Sequence, residues 1–124
     1  MAQKILLVDD DQYIREMYEE VLKNSGFEVE TAVDGKEGFE KILNGGYDLI
    51  LLDVMLPFLD GIGILRELQD KKPIKTNGPI MLLTNLAYDP VIEEAIQKGA
   101  VACLNKAEMN PGEFIKKVQE VLTK

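Results

Sequence analysis

Residues 47–61 read YDLILLDVMLPFLDG, and the run inside this stretch decides the architecture. Leu49 to Leu52, followed by Val54, are residues of a protein interior, apolar on both faces of an extended strand. A strand buried on both faces belongs at the centre of a parallel sheet that carries helices on each side. Asp53 interrupts that run. An unpaired carboxylate in an interior costs several kcal/mol, so Asp53 is protonated, paired, or bound to a cation.

Working outward, the chain alternates between short apolar runs and segments of helical period. Lys4 to Val8 (KILLV) has the composition of a buried strand, and Ile14, Met17, Tyr18, Val21 and Leu22 mark one face of a following helix. That helix ends at Asn24 to Gly26 with a glycine at its C-terminus. Phe27 to Ala32 predicts a second strand. A second helix bearing Phe39, Ile42 and Leu43 stops at Gly45 and Gly46. Beyond the strand at Asp48 to Asp53, Asp60 reads as the cap of a helix with Ile62, Leu65 and Leu68 inward. A polar linker, Asp70 to Gly78, precedes a strand at Pro79 to Thr84. Asp89 and Pro90 predict the start of the next helix, with Ile92, Ala95 and Ile96 inward. Ala100 to Asn105 predicts a fifth strand, and Phe114, Ile115, Val118, Val121 and Leu122 line a last helix.

Strands alternating with helices imply right-handed crossovers and a doubly wound α/β fold, although alternation alone leaves strand order open. At 124 residues, with no repeat and no low-complexity tract, one domain over residues 1–124 is expected. A formal charge of −8 argues against direct nucleic-acid binding and against anionic membrane surfaces. Histidine is absent, which removes imidazole bases, phosphohistidine and most zinc and copper sites. The single cysteine, Cys103, cannot form an internal disulfide and reads as a small core hydrophobe. No run approaches membrane-span length, no secretory leader is evident, and the expected location is the cytoplasm.

In a doubly wound sheet the functional crevice lies beyond the carboxyl ends of the strands. Those ends carry Asp9 and Asp10, Asp53, Thr84 and, past the fifth strand, Lys106. Two carboxylates about 4 Å apart repel by roughly 4 kcal/mol at an effective dielectric near 20, so a proton or a cation must join three of them. An all-oxygen donor set favours a hard divalent ion, and Mg²⁺ fits best because it keeps waters for a phosphate. A carboxylate can itself accept a phosphoryl group, and a flanking ammonium and hydroxyl suit the equatorial oxygens. Asp53, rooted in the central strand, is the best-placed nucleophile. Each residue also has a plainer reading: Asp11 as a helix cap, Thr84 and Lys106 as solvated strand ends. It is their joint placement that points to chemistry.

The motifs ILLVDDD, DLILLDVMLPFLDG, IMLLT and CLNK stand in an order and spacing that resembles the receiver domain of bacterial and archaeal two-component response regulators. The likeness covers essentially the whole chain. It implies a flavodoxin-like (βα)5 three-layer sandwich with strand order 2-1-3-4-5. It implies Asp53 as phosphoacceptor, Asp10 as a direct Mg²⁺ ligand, Asp9 as a ligand through water, and the Met55 backbone carbonyl as a further ligand. Thr84 and Lys106 resemble the hydroxyl and ammonium that meet the phosphoryl oxygens. The implied donor is a histidine kinase or a histidine phosphotransfer protein. The implied output is an altered contact with a downstream protein through the fourth helix, fifth strand and fifth helix (Tyr88 to Lys98 and Ala100 to Lys124), and the resemblance admits a homodimer formed on phosphorylation. The chain is then no enzyme toward other substrates, although it catalyses its own phosphorylation and slow dephosphorylation.

Three positions depart from the family pattern. Cys103 replaces an aromatic residue, Ala107 replaces a proline often found after a cis peptide, and Asn85 replaces a small residue and is expected to narrow access to Asp53. Met55 and Leu86, both apolar, flank the path of an attacking water and predict a long-lived phosphoryl group. Competing readings are a phosphate-independent interaction module, an aspartyl phosphatase, which would want an acid where Met55 stands, and a dinucleotide binder, for which the glycine-rich turn is missing.

Overall fold

The computed structural model describes residues 2–84, 90–106 and 110–123, with the backbone alone described at 90–92. Among these residues five strands and five helices alternate: β1 (Lys4–Val8), α1 (Gln12–Asn24), β2 (Glu28–Ala32), α2 (Gly35–Asn44), β3 (Leu49–Asp53), α3 (Gly61–Asp70), β4 (Ile80–Thr84), α4 (Pro90–Gln97), β5 (Ala100–Asn105) and α5 (Pro111–Leu122). The strands form one parallel sheet in the order β2-β1-β3-β4-β5. All of β3 is buried, as its unbroken apolar run requires.

Alternate residues of the central strands feed two separate cores. Leu6, Val8, Ile50, Leu52 and Leu82 pack with Ile42, Ile64, Leu65 and Ala95, contributed by α2, α3 and α4. Ile5, Leu7, Leu49, Leu51, Met81 and Leu83 pack with Tyr18, Leu22, Phe114 and Val118 from α1 and α5. Each leucine or isoleucine buried this way contributes roughly 1.5–3 kcal/mol relative to exposure, and the summed burial makes a rigid sheet. Tyr18 stacks on Phe114 with ring centroids 4.2 Å apart, joining α1 to α5. Cys103 is half-buried against the first core and behaves as the small hydrophobe expected of it.

Most helix signals work as the sequence implies, but Ile96, expected inward on α4, is 49% exposed, and the side chain of Ile92 lies outside the described residues. Asp11, Asp34, Asp60 and Asn110 each accept a backbone N–H three residues on, capping α1, α2, α3 and α5. Ser25 is the C-cap of α1, and Gly26 beyond it takes φ +94°. Strand β2 begins at Glu28 rather than Phe27 because the Phe27 N–H closes the end of α1 on Leu22 O. Strand β4 begins after Pro79, which has no N–H to give the ladder. The expected cap Asp89, together with Asn85, Leu86, Tyr88 and Ala107, lies outside the described residues.

The loop that follows β3 is pinned from α2. The Gly35 N–H donates to Pro57 O at 3.2 Å, and a Cβ on Gly35 would overlap the Leu59 carbonyl. Gly35→Ala therefore lowers unfolding stability by about 1–3 kcal/mol in urea denaturation. Gly112→Ala, inside α5 where a Cβ meets nothing closer than Asn110 Oδ1 at 3.4 Å, is neutral or slightly stabilising.

Candidate functional site

Parallel register sets the site. Val8 is level with Leu52, Asp53 with Leu83, and Thr84 with Asn105, so the residues just past these positions meet on one rim. Lys106 N–H donates to Thr84 O at 2.7 Å, which turns the chain leaving β5 over that rim. Asp9 and Thr84 are fully buried and Asp53 is 3% exposed, whereas Asp10 is open to solvent. One carboxylate oxygen from each of Asp9, Asp10 and Asp53 lies within 4.8 Å of the others.

Lys106 Nζ, itself buried, is 2.8 Å from Asp53 Oδ2 and 3.2 Å from Asp9 Oδ2. The second oxygen of each buried acid takes a backbone amide: Met55 N–H to Asp53 Oδ1 at 3.1 Å, Asp11 N–H to Asp9 Oδ1 at 3.0 Å. Both carboxylates are thereby fixed in plane and direction. Within the cluster three carboxylates face one ammonium, so two negative charges stay uncompensated. Burial, aided by the Asp9 charge and opposed by Lys106 and the Met55 amide, pushes the Asp53 carboxyl up to about 6. Burial also works against the charge on Lys106, but its bonds and attraction to Asp53 and Asp9 outweigh that and hold its pKa above the ordinary value.

The donor set tests well against a hard divalent cation. It is all oxygen, it converges, and it carries more negative charge than Lys106 offsets. The sequence-predicted residues Asp9, Asp10, Asp53, Thr84 and Lys106 thus stand at one rim, and Met55, 70% exposed, lies beside them. Sequence reasoning missed two neighbours of the site and one feature of the loop after β3. Arg15 donates from α1 to the Asp9 carbonyl at 2.9 Å. Tyr18 lies close enough to feel Lys106, Asp9 and Asp53; burial leads in raising its hydroxyl pKa. Phe58, on the loop after β3, takes φ 70° and is 87% exposed. Only Arg15 left a trace in the sequence, a cation at the start of a helix where the dipole disfavours one.

A family model described as the response regulator receiver domain matches residues 5–119. The chain belongs to the response regulator receiver domain family. It is 40% identical over 119 residues to the transcriptional regulatory protein CpxR homolog of Haemophilus influenzae, covering 96% of this chain and 50% of that protein. The chain therefore spans half the length of that curated relative. Its fold is similar to a CheY-like receiver domain from Methanospirillum hungatei, with a TM-score of 0.87 at 30% identity, covering 99% of this chain and 95% of the other. It is also similar to the receiver domain of the sensor histidine kinase PA1611 of Pseudomonas aeruginosa, a structure with a magnesium ion coordinated in its active-site cleft, with a TM-score of 0.84, 30% identity and full coverage of both chains. Family and fold agree with the strand order and with the signalling role that the motifs imply. Among the described residues of this receiver domain, no helix is long and apolar enough to cross a membrane.

The raised Asp53 carboxyl has a consequence for stability. Folded protein binds a proton there up to about pH 6, the unfolded chain only up to about pH 4, so this contribution is lost as pH rises between the two. In metal-free buffer, the stability of Asp53→Asn relative to the unsubstituted chain therefore grows by about 2–3 kcal/mol from pH 4 to pH 7. Urea denaturation at both pH values reads it, and a pH-independent difference would contradict the charge imbalance.

Proposed function

We propose that the chain is a phosphorylation-controlled switch in which Asp53 is the phosphoacceptor. The observation that carries this reading is a buried carboxylate held in a fixed direction between an ammonium and two further acids, with more negative charge than the protein itself neutralises. Asp9, Asp10 and Asp53, with the Met55 carbonyl, would hold Mg²⁺. When bound, the ion supplies neutralisation of the charge on the phosphoryl oxygens.

The protein's own groups do the rest. An Asp53 oxygen forms a bond to phosphorus as the donor's nitrogen–phosphorus or oxygen–phosphorus bond breaks and its electron pair leaves with the donor. Lys106, whose pKa Asp53 and Asp9 hold above the ordinary value, enters the reaction as an ammonium and offers its charge to the new acyl phosphate. The Thr84 hydroxyl is the second donor to those oxygens. A histidine kinase or histidine phosphotransfer protein in the cytoplasm is the expected source of the phosphoryl group.

The added charge then competes for Lys106, at the end of β5, and for Thr84, at the end of β4. The contact surface that changes is the face of α4, β5 and α5, toward a downstream protein or a second copy of the chain. Moving a two-state domain from 1:99 to 99:1 needs about 5.5 kcal/mol of differential stabilisation. Met55, apolar and exposed beside Asp53, offers no hydrogen bond to orient an attacking water, which favours a long-lived acyl phosphate.

Intact-protein mass after incubation with acetyl phosphate and Mg²⁺ tests the reading. The expected result is one phosphoryl adduct, lost in Asp53→Asn and in chelator, decaying slowly and several-fold faster in Met55→Asn. A folded protein that binds Mg²⁺ but takes no phosphoryl group would instead be a phosphate-independent interaction module.

A further inference from the structure

Arg15 sits in the opening turns of α1, where the helix dipole disfavours a cation, four residues after the N-cap acid Asp11. Among the described residues its guanidinium pairs with no carboxylate. Nη1 donates to the backbone carbonyl of Asp9 at 2.9 Å, spanning six positions of chain. That carbonyl belongs to the peptide linking Asp9 to Asp10.

The other polar atoms of Asp9 are also engaged. Its N–H donates to Ala32 O at 3.2 Å, Oδ1 accepts from Asp11 N–H at 3.0 Å, and Oδ2 accepts from Lys106 at 3.2 Å. Asp9 is thus a fixed post, completely buried. Asp10 is different, being the exposed member of the acid cluster and the next residue along. The bond from Arg15 falls on the carbonyl of the peptide from which Asp10 projects.

We propose that Arg15 is a positioning residue for the metal site, holding the Asp10 carboxylate toward the cluster by clamping the Asp9–Asp10 peptide. The role rests on the reading of Asp9, Asp10 and Asp53 as a Mg²⁺ site. Two effects of removing Arg15 oppose each other in sign, which makes the role testable. Loss of a nearby positive charge strengthens binding of a cation. Loss of the clamp weakens it, and groups that orient metal ligands from outside the coordination shell typically account for about 10- to 100-fold in affinity. The clamp is a direct bond to the ligand-bearing turn, whereas the repulsion acts from a half-buried side chain at a salt-screened rim, so the clamp dominates.

The experiment is Mg²⁺ titration by calorimetry of the full chain, Arg15→Met, Arg15→Lys and Asp10→Asn, with urea denaturation in chelator as the folding control. Methionine keeps the aliphatic stem but neither donor nor charge, and lysine keeps both. Arg15→Met is expected to weaken Mg²⁺ about tenfold, and Arg15→Lys to recover most of that loss at equal stability. Tighter or unchanged binding in Arg15→Met overturns the clamp, as does a lysine variant no better than methionine. An unsubstituted chain whose Mg²⁺ binding is absent, or indifferent to Asp10→Asn, overturns the metal reading and the clamp with it.

Discussion

One ammonium shared between two buried carboxylates is the constraint around which the candidate site is arranged. Lys106 touches Asp53 and Asp9 at the rim of a sheet packed on both faces by apolar and aromatic side chains. A buried ion pair of this kind is weak evidence for stability, since desolvation offsets most of the Coulomb attraction. Here one cation serves two acids with a third alongside, which is a worse balance still. The packed cores on both faces of the sheet hold these groups together despite that cost, and the parallel register leaves them no freedom to spread apart. Electrostatic tension at the rim is therefore a property of the fold, present before any ligand arrives.

Much of this was legible in the sequence. The apolar run of β3 signalled a central parallel strand, and the aspartate closing it was anomalous enough to require a partner. Strand ends in a doubly wound sheet share one rim, which is why Asp9, Asp53, Thr84 and Lys106 could be brought together without coordinates. Strand order came from family resemblance, because hydrophobic period says nothing about which strands are neighbours. Asp11 and Asp60 were readable as caps because their spacing to the helix start is local. Arg15 left only the trace of a cation near a helix start; its role was not readable, since its partner is a backbone carbonyl and every residue has one. Phe58 was hidden for a similar reason: side-chain identity gives no hint that an aromatic residue takes a left-handed conformation, which costs of order 1–3 kcal/mol and is commonest near functional sites.

The elements beyond the rim show what a switch in this chain has to work against. Arg66 Nη2 of α3 donates to both carboxylate oxygens of Glu94 of α4, at 2.9 and 3.0 Å, and Gln69 Nε2 donates to Lys98 O at 3.1 Å. Helix α4 is thus fastened to α3 near its C-terminal end. Exposed pairs such as Arg66–Glu94 contribute about 1 kcal/mol or less, so the fastening biases α4 without locking it. Cys103 occupies less volume than the aromatic residue usual at its position, and its thiol pKa is raised by burial, consistent with a packing role. Under the proposed function, rearrangement passes through the ends of β4 and β5, where Thr84 and Lys106 are joined backbone to backbone, rather than through an aromatic side chain.

The most direct test of the account is a crystal structure of the chain grown with Mg²⁺ and beryllium fluoride, a mimic of an acyl phosphate. The account predicts trifluoroberyllate attached to an Asp53 oxygen, contacted by Lys106 and the Thr84 hydroxyl, with the ion seated among Asp9, Asp10 and Asp53. An unmodified Asp53 with the Lys106 pairs unchanged, or an ion bound elsewhere, would contradict it.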